Sequence, residues 1–117
     1  MDIRDQIEQL KFDDFLYFAF IIASVIDIYA DDELKKSYMN GKEKDVSKLY
    51  LTASAMVLLV FFFFGLRNYR QLKSLPKGTA AYKNAFMRVI GSIFLVFGQL
   101  LLLFYLMQQR KITEGSV

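Results

Sequence analysis

VIGSIFLVFGQLLLLFYLM, from Val89 to Met107, holds thirteen Leu, Ile, Val or Phe residues in nineteen and carries no charge. A helix of about twenty mostly apolar residues matches the hydrocarbon thickness of a bilayer. In lipid every backbone polar group has to be satisfied within the segment, which a helix does. This stretch therefore predicts a membrane-spanning helix. Two further runs follow the same logic. Tyr50 to Leu66 has ten such residues in seventeen, including Phe61 to Phe64, and Phe15 to Ala30 has nine in sixteen. The expected fold is all-α: a small polytopic membrane protein whose three transmembrane helices form an up-down-up bundle and extend beyond the bilayer.

At 117 residues the chain reads as one membrane domain. Residues 1–14 form an acidic amphipathic N-terminal segment, with Ile3, Ile7 and Leu10 on one face. Spans at 15–30, 50–66 and 89–107 are separated by a mixed-charge connection at 31–49 and a basic one at 67–88, and a tail covers 108–117. The N-terminal segment is too acidic for a secretory signal or transit peptide, and no cleavage pattern follows the first run, so the whole sequence is expected to be retained.

The spans are unequal. Each large apolar residue favours insertion by about 0.3 to 0.6 kcal/mol, while a central Asp opposes it by roughly 2.5 to 3.5 kcal/mol. Asp27 makes the first run marginal alone, so it is expected to insert with help from the other two or from a partner. Tyr17, Tyr29, Tyr50 and Tyr105 sit near span ends, where interfacial aromatics belong.

Local signals place the helix ends. Asp31–Lys35 and Asp32–Lys36 are acid-first i,i+4 pairs that prolong the first helix. Asn40-Gly41 ends it, because glycine accepts the left-handed terminal conformation without steric cost. The second helix is expected from Asp45 or Ser47 to about Leu72. Pro76 and Gly78 break the chain, and Thr79 caps the third helix.

The connection from Arg67 to Arg88 contains six basic residues and no acid, whereas the other balances five lysines with five acids. The positive-inside rule places the basic connection and the N-terminus in the cytoplasm and the C-terminus outside, with a bacterial cytoplasmic membrane as the expected location. Arg67, Arg70, Lys73, Lys77, Lys83 and Arg88 anchor this topology and are candidate contacts for anionic lipid or an acidic partner. The acidic N-terminal segment lies on the same side and is expected to pair with them.

Chemistry-bearing residues are few. Histidine and cysteine are absent, which removes the commonest general base, the usual zinc ligands and any thiolate or disulfide. No phosphate loop, metal-ligand cluster or nucleophile with a base is present, so no catalytic residue, metal or cofactor is expected. The acidic group Asp31, Asp32 and Glu33 reads as a solvated helix face. The basic residues lack the aromatic interleaving of a nucleic-acid binder. Asp27 is the sharpest position, since an acid inside a span is costly. Ser24, Thr52 and Ser54 are candidates to satisfy it, with Lys48 within snorkelling reach. Gln99 is the other polar residue inside a span, too deep for direct pairing with Asp27. Ala19, Ala23, Gly91 and Gly98 are candidate helix-packing positions, because small residues let helices approach.

These features predict a non-enzymatic integral membrane protein that acts by helix packing with a membrane partner, as an accessory subunit or an immunity-type protein. The alternative is a self-assembling transport or holin-like pore former with Asp27 as an ion or proton site. The two are separated by whether Ser24, Asp27 and Gln99 face a shared interior. The expected partners are the bilayer, a membrane protein or a second copy, and anionic lipid, with no nucleic acid.

Overall fold

Apolar runs flanked by helix-forming charged segments produce three long helices. In the computed structural model these are α1 (Ile3–Asn40), α2 (Ser47–Lys73) and α3 (Ala80–Gly115). The structure describes residues 3–41 and 45–115, with side chains through Gln109. There is no strand among them. The charges of Lys42, Glu43 and Lys44, and the side chains of Arg110 and Lys111, lie outside the described residues.

The helix ends follow the local chemistry. α1 stops at Asn40, and Gly41 takes φ +66°, a region that costs other L-residues about 1–2 kcal/mol. Asp45 accepts a hydrogen bond from Ser47 N at 2.9 Å, which satisfies one of the orphan donors opening α2. After Pro76, Gly78 turns at φ +87° and Thr79 Oγ1 accepts from Tyr82 N at 3.1 Å. Thr79→Ala is expected to lower stability by about 1 kcal/mol, with Thr79→Ser close to wild type. Thermal unfolding in detergent checks it, and equal midpoints for all three proteins would remove the cap from the account.

α2 is the central element. α1 and α3 both pack on it, and their backbones do not approach each other. The overall extents are 60 × 26 × 16 Å. Three helices side by side need two interaxial distances of about 8–10 Å plus a Cα cylinder of radius about 2.3 Å at each edge, about 21–25 Å in all, close to the 26 Å extent. The expected three-helix bundle is thus an open row, in which the backbones of α1 and α3 each approach α2 and not each other.

The α1–α2 seam is built from small residues at a seven-residue interval. Leu16, Ala23, Ala30 and Ser37 are buried on α1, and Ala53 and Val60 on α2, with Val46 buried just before α2 begins. Ala23, Ala30 and Ala53 have no exposed surface. A strict seven-residue period favours a left-handed supercoil with close axes. Ala23 belongs to this seam, whereas Ala19 lies half-buried at its edge. Aromatic rings flank it: Phe12 meets Phe63, Tyr17 meets Phe64 and Phe20 meets Phe61, with centroids 6.4, 5.5 and 6.3 Å apart. Across the pairs Asp13–Arg67, Phe20–Phe61 and Asp31–Tyr50, residue numbers rise on α1 as they fall on α2, so the two helices run antiparallel.

α3 uses one narrow stripe. Up to Gln109 its only buried or half-buried positions are Tyr82, Ala85, Val89, Ser92, Val96, Gln99, Leu103 and Leu106, three and four apart. Its other apolar residues face outward, Phe94 and Leu101 each 71% exposed. The helices α2 and α3 are each long and apolar enough to cross a membrane by length and composition. α1 does not meet the same measure. Every eighteen-residue stretch that contains Phe15 to Ala30 carries three acids: Asp13, Asp14 and Asp27, or Asp14, Asp27 and Asp31, or Asp27, Asp31 and Asp32.

Candidate functional site

Two polar clamps hold α1 against α2, one at each end of the apolar run. At the first, Asp13 Oδ2 lies 3.0 Å from Arg67 Nη2, with side chains 13% and 17% exposed. Arg67 Nη1 also reaches Asn68 Oδ1 and Gln71 Oε1, both at 3.3 Å. Asn68 Nδ2 in turn donates to Ser92 Oγ at 2.7 Å, so the network runs from α1 through α2 to α3. At the second clamp, the Tyr50 hydroxyl donates to Asp31 Oδ1. Asp13 and Asp31 are eighteen residues apart, about 27 Å along a helix, close to the roughly 30 Å of a hydrocarbon core.

Between the clamps lies a groove of about 440 Å³, open on one face and lined by all three helices. Phe20, Ser24 and Asp27 come from α1, Tyr50, Ser54, Val57 and Phe61 from α2, and Gln99, Leu102, Tyr105 and Leu106 from α3. The open row creates it: α2 forms the floor, and the flanking helices form walls that do not meet. The residues Ser24, Asp27, Ser54 and Gln99, singled out from sequence, therefore share one groove.

They do not form one hydrogen-bonded cluster. Gln99 Nε2 donates to Ser54 Oγ at 2.8 Å and to Ser54 O at 3.1 Å, which ties α3 to α2. Ser24 Oγ donates to Phe20 O at 3.0 Å, and Thr52 Oγ1 to Lys48 O at 2.8 Å, each closing on its own helix. Thr52 is exposed and lies outside the groove lining. Lys48 is exposed, and among the described residues no ion pair joins it to Asp27. Asp27 is half-buried and accepts no hydrogen bond among the described residues.

The seam of α3 is carried by Ser92 and Gln99. Gly91 and Gly98 face outward, and nothing lies within 4 Å of where a Cβ would sit. The two candidate faces are one residue, about 100°, apart on the helix, and hydropathy does not separate them. Any packing role for Gly91 and Gly98 belongs to a surface outside this chain. Gly98→Ala is accordingly expected to be tolerated, raising stability by about 0.5–1 kcal/mol through helix propensity. Unfolding in detergent measures this, and a clear destabilisation would mean that the position is covered.

The glycine that does face a neighbour is Gly65, where a Cβ would come 3.5 Å from Ser92 Cβ. Of the basic residues, Arg67 is held by Asp13, and Lys73 Nζ sits 4.8 Å from the Tyr69 ring centroid. Arg70, Lys77, Lys83 and Arg88 are exposed. Arg70 joins Glu8, Gln9, Phe12 and Arg67 around a second groove of about 330 Å³. The expected pairing of the acidic N-terminal segment with the basic connection is thus realised by Asp13 and Arg67. Sequence reasoning missed that pair, although an acid and a base bordering consecutive apolar runs was its signal. Among the described residues no group of three or more acidic side chains is placed to hold a metal ion.

No family model matches the chain, and neither a curated protein nor a solved structure matches it.

Proposed function

We propose that this chain is a non-enzymatic integral membrane protein of three spans that works by packing with a further transmembrane helix. The observation that carries this reading is the open row: a groove between α1 and α3, above α2, large enough to seat side chains of another helix. The outward apolar face of α3 adds to it, since α2 covers only one stripe of that helix. α1 becomes a span by association. Two of its bracketing acids, Asp13 and Asp31, are partnered from α2, which lowers the cost of bringing them to the edges of the hydrocarbon. An accessory subunit or an immunity-type protein fits this arrangement. The cytoplasmic side is the one with the basic connection and the N-terminus, where Arg70, Lys77, Lys83 and Arg88 are available to anionic lipid. A reporter fused to the C-terminus should read non-cytoplasmic.

Purification in mild detergent with the mass of the complex determined is the direct test. A stoichiometric membrane partner or a second copy is expected, and a bare monomer that retains full biological activity would sink the reading. One observation favours the pore-forming alternative: Ser24, Asp27 and Gln99 all line the same groove. Ion leakage from vesicles at increasing protein load would support that version, with copies closing their grooves around a path. Tight vesicles at every load would leave the helix-packing reading.

A further inference from the structure

We propose that the groove between α1 and α3 accepts a partner's transmembrane helix carrying a Lys or Arg that pairs with Asp27. This rests on the helix-packing reading and adds the chemistry of the occupant.

Three acids border or interrupt the apolar face that α1 turns to α2 and the groove. Asp13 has Arg67, and Asp31 has the Tyr50 hydroxyl. Asp27 has neither. It sits four residues inside Asp31, about 6 Å deeper along the helix, on the groove side. The neighbouring donors are committed elsewhere. The Tyr50 hydroxyl goes to Asp31, Ser24 to Phe20 O, and the Gln99 amide nitrogen to Ser54 O and Oγ. The two remaining hydroxyls of the lining, Ser54 and Tyr105, accept from Gln99 and Gln109 respectively, and neither donates to Asp27. Asp31 lies nearby as a second negative charge. The groove therefore has a net negative character and no internal counter-charge.

A carboxylate at this depth is costly unless paired. A second copy of this chain is a poor source of the counter-charge. Its α2 has no basic residue between Lys48 and Arg67, and its α3 none between Arg88 and Arg110. The complementary occupant is a different helix with one cation one to two turns inside the end of its apolar stretch, its stem lying along the groove wall. Phe20, Val57, Phe61 and Leu102 supply apolar surface for that helix.

The probe is a Leu-Ala transmembrane peptide of about twenty residues with one Lys about two turns from its end. Its control carries Leu at that position. Each is co-reconstituted with the full chain in phosphatidylcholine vesicles, and association is read by energy transfer between labels. The Lys peptide is expected to bind roughly tenfold tighter or more. Asp27→Asn should erase that preference while leaving binding of the Leu peptide unchanged, and Asp27→Glu should keep it. Ser24→Phe, which fills the groove, should weaken both peptides. Equal binding of the two peptides, or a preference that survives Asp27→Asn, overturns the proposal. If both bind equally and Ser24→Phe releases both, helix docking stands and the basic partner falls. If neither binds while labelled copies of the chain associate with each other, helix packing stands with a second copy as the partner and the basic partner falls.

Discussion

Arg67→Ala is expected to detach the first half of α1 from α2. Removing one member of a buried ion pair costs about 3–5 kcal/mol, because the other charge is left without a partner. The residual exposure of 13% and 17% at Asp13 and Arg67 places the loss near the lower end of that range. The pair is not ideally satisfied, since Asp13 Oδ1 and Arg67 Nε are buried without hydrogen-bond partners. Its net contribution over an apolar pair is therefore small, and the combination Asp13→Leu with Arg67→Leu should recover most of what Arg67→Ala loses. Denaturant unfolding in detergent measures both changes, and protease access to residues 3–30 reports the detachment. A neutral Arg67→Ala would show that the clamp holds nothing.

Ala30→Leu and Ala53→Leu are expected to be the most damaging apolar substitutions. Both positions lie on the α1–α2 seam with no exposed surface, so extra methylenes force the helices apart. Overpacking of this kind costs about 1–3 kcal/mol. The two sites share one seam, so the double variant should lose less than the sum of the singles, as coupled sites do. Ile28→Leu, at a position 67% exposed, is the control and should stay within about 0.5 kcal/mol of wild type. Thermal midpoints in detergent decide the matter. An Ala53→Leu protein as stable as the Ile28→Leu control would exclude close packing at the seam.

The elements were legible because their ends are chemical events. Asn40-Gly41, Pro76, Gly78 and Thr79 each act within a few residues, and the helices stop and start there. The ranking of the apolar runs was also legible, since Asp27 and the flanking acids separate α1 from the other two. The arrangement of the helices was not. The seam Leu16, Ala23, Ala30 and Ser37 repeats every seven residues, but alanine and serine carry little hydropathy and do not stand out from Phe-rich neighbours. The Asp13–Arg67 pair joins positions fifty-four residues apart (67 − 13), and only the antiparallel register brings them together. On α3 the choice between Gly91/Gly98 and Ser92/Gln99 depends on a rotation of about 100°. Burial of small or polar groups decides it, and those are the groups that hydropathy ranks lowest.

The position of Arg67 also sets an order in time. During synthesis at about 5–20 residues per second, the fifty-four residues from Asp13 to Arg67 take about 3–11 s to appear. Through that interval Asp13 lacks Arg67, although Tyr50, the other clamp residue, is made seventeen residues earlier. On the proposed three-span reading, a span that becomes acceptable to lipid only when its counter-charge arrives would enter as half of a hairpin. Truncated chains that end before Arg67 should therefore leave α1 outside the bilayer, whereas chains that extend a few turns beyond it should carry α1 in.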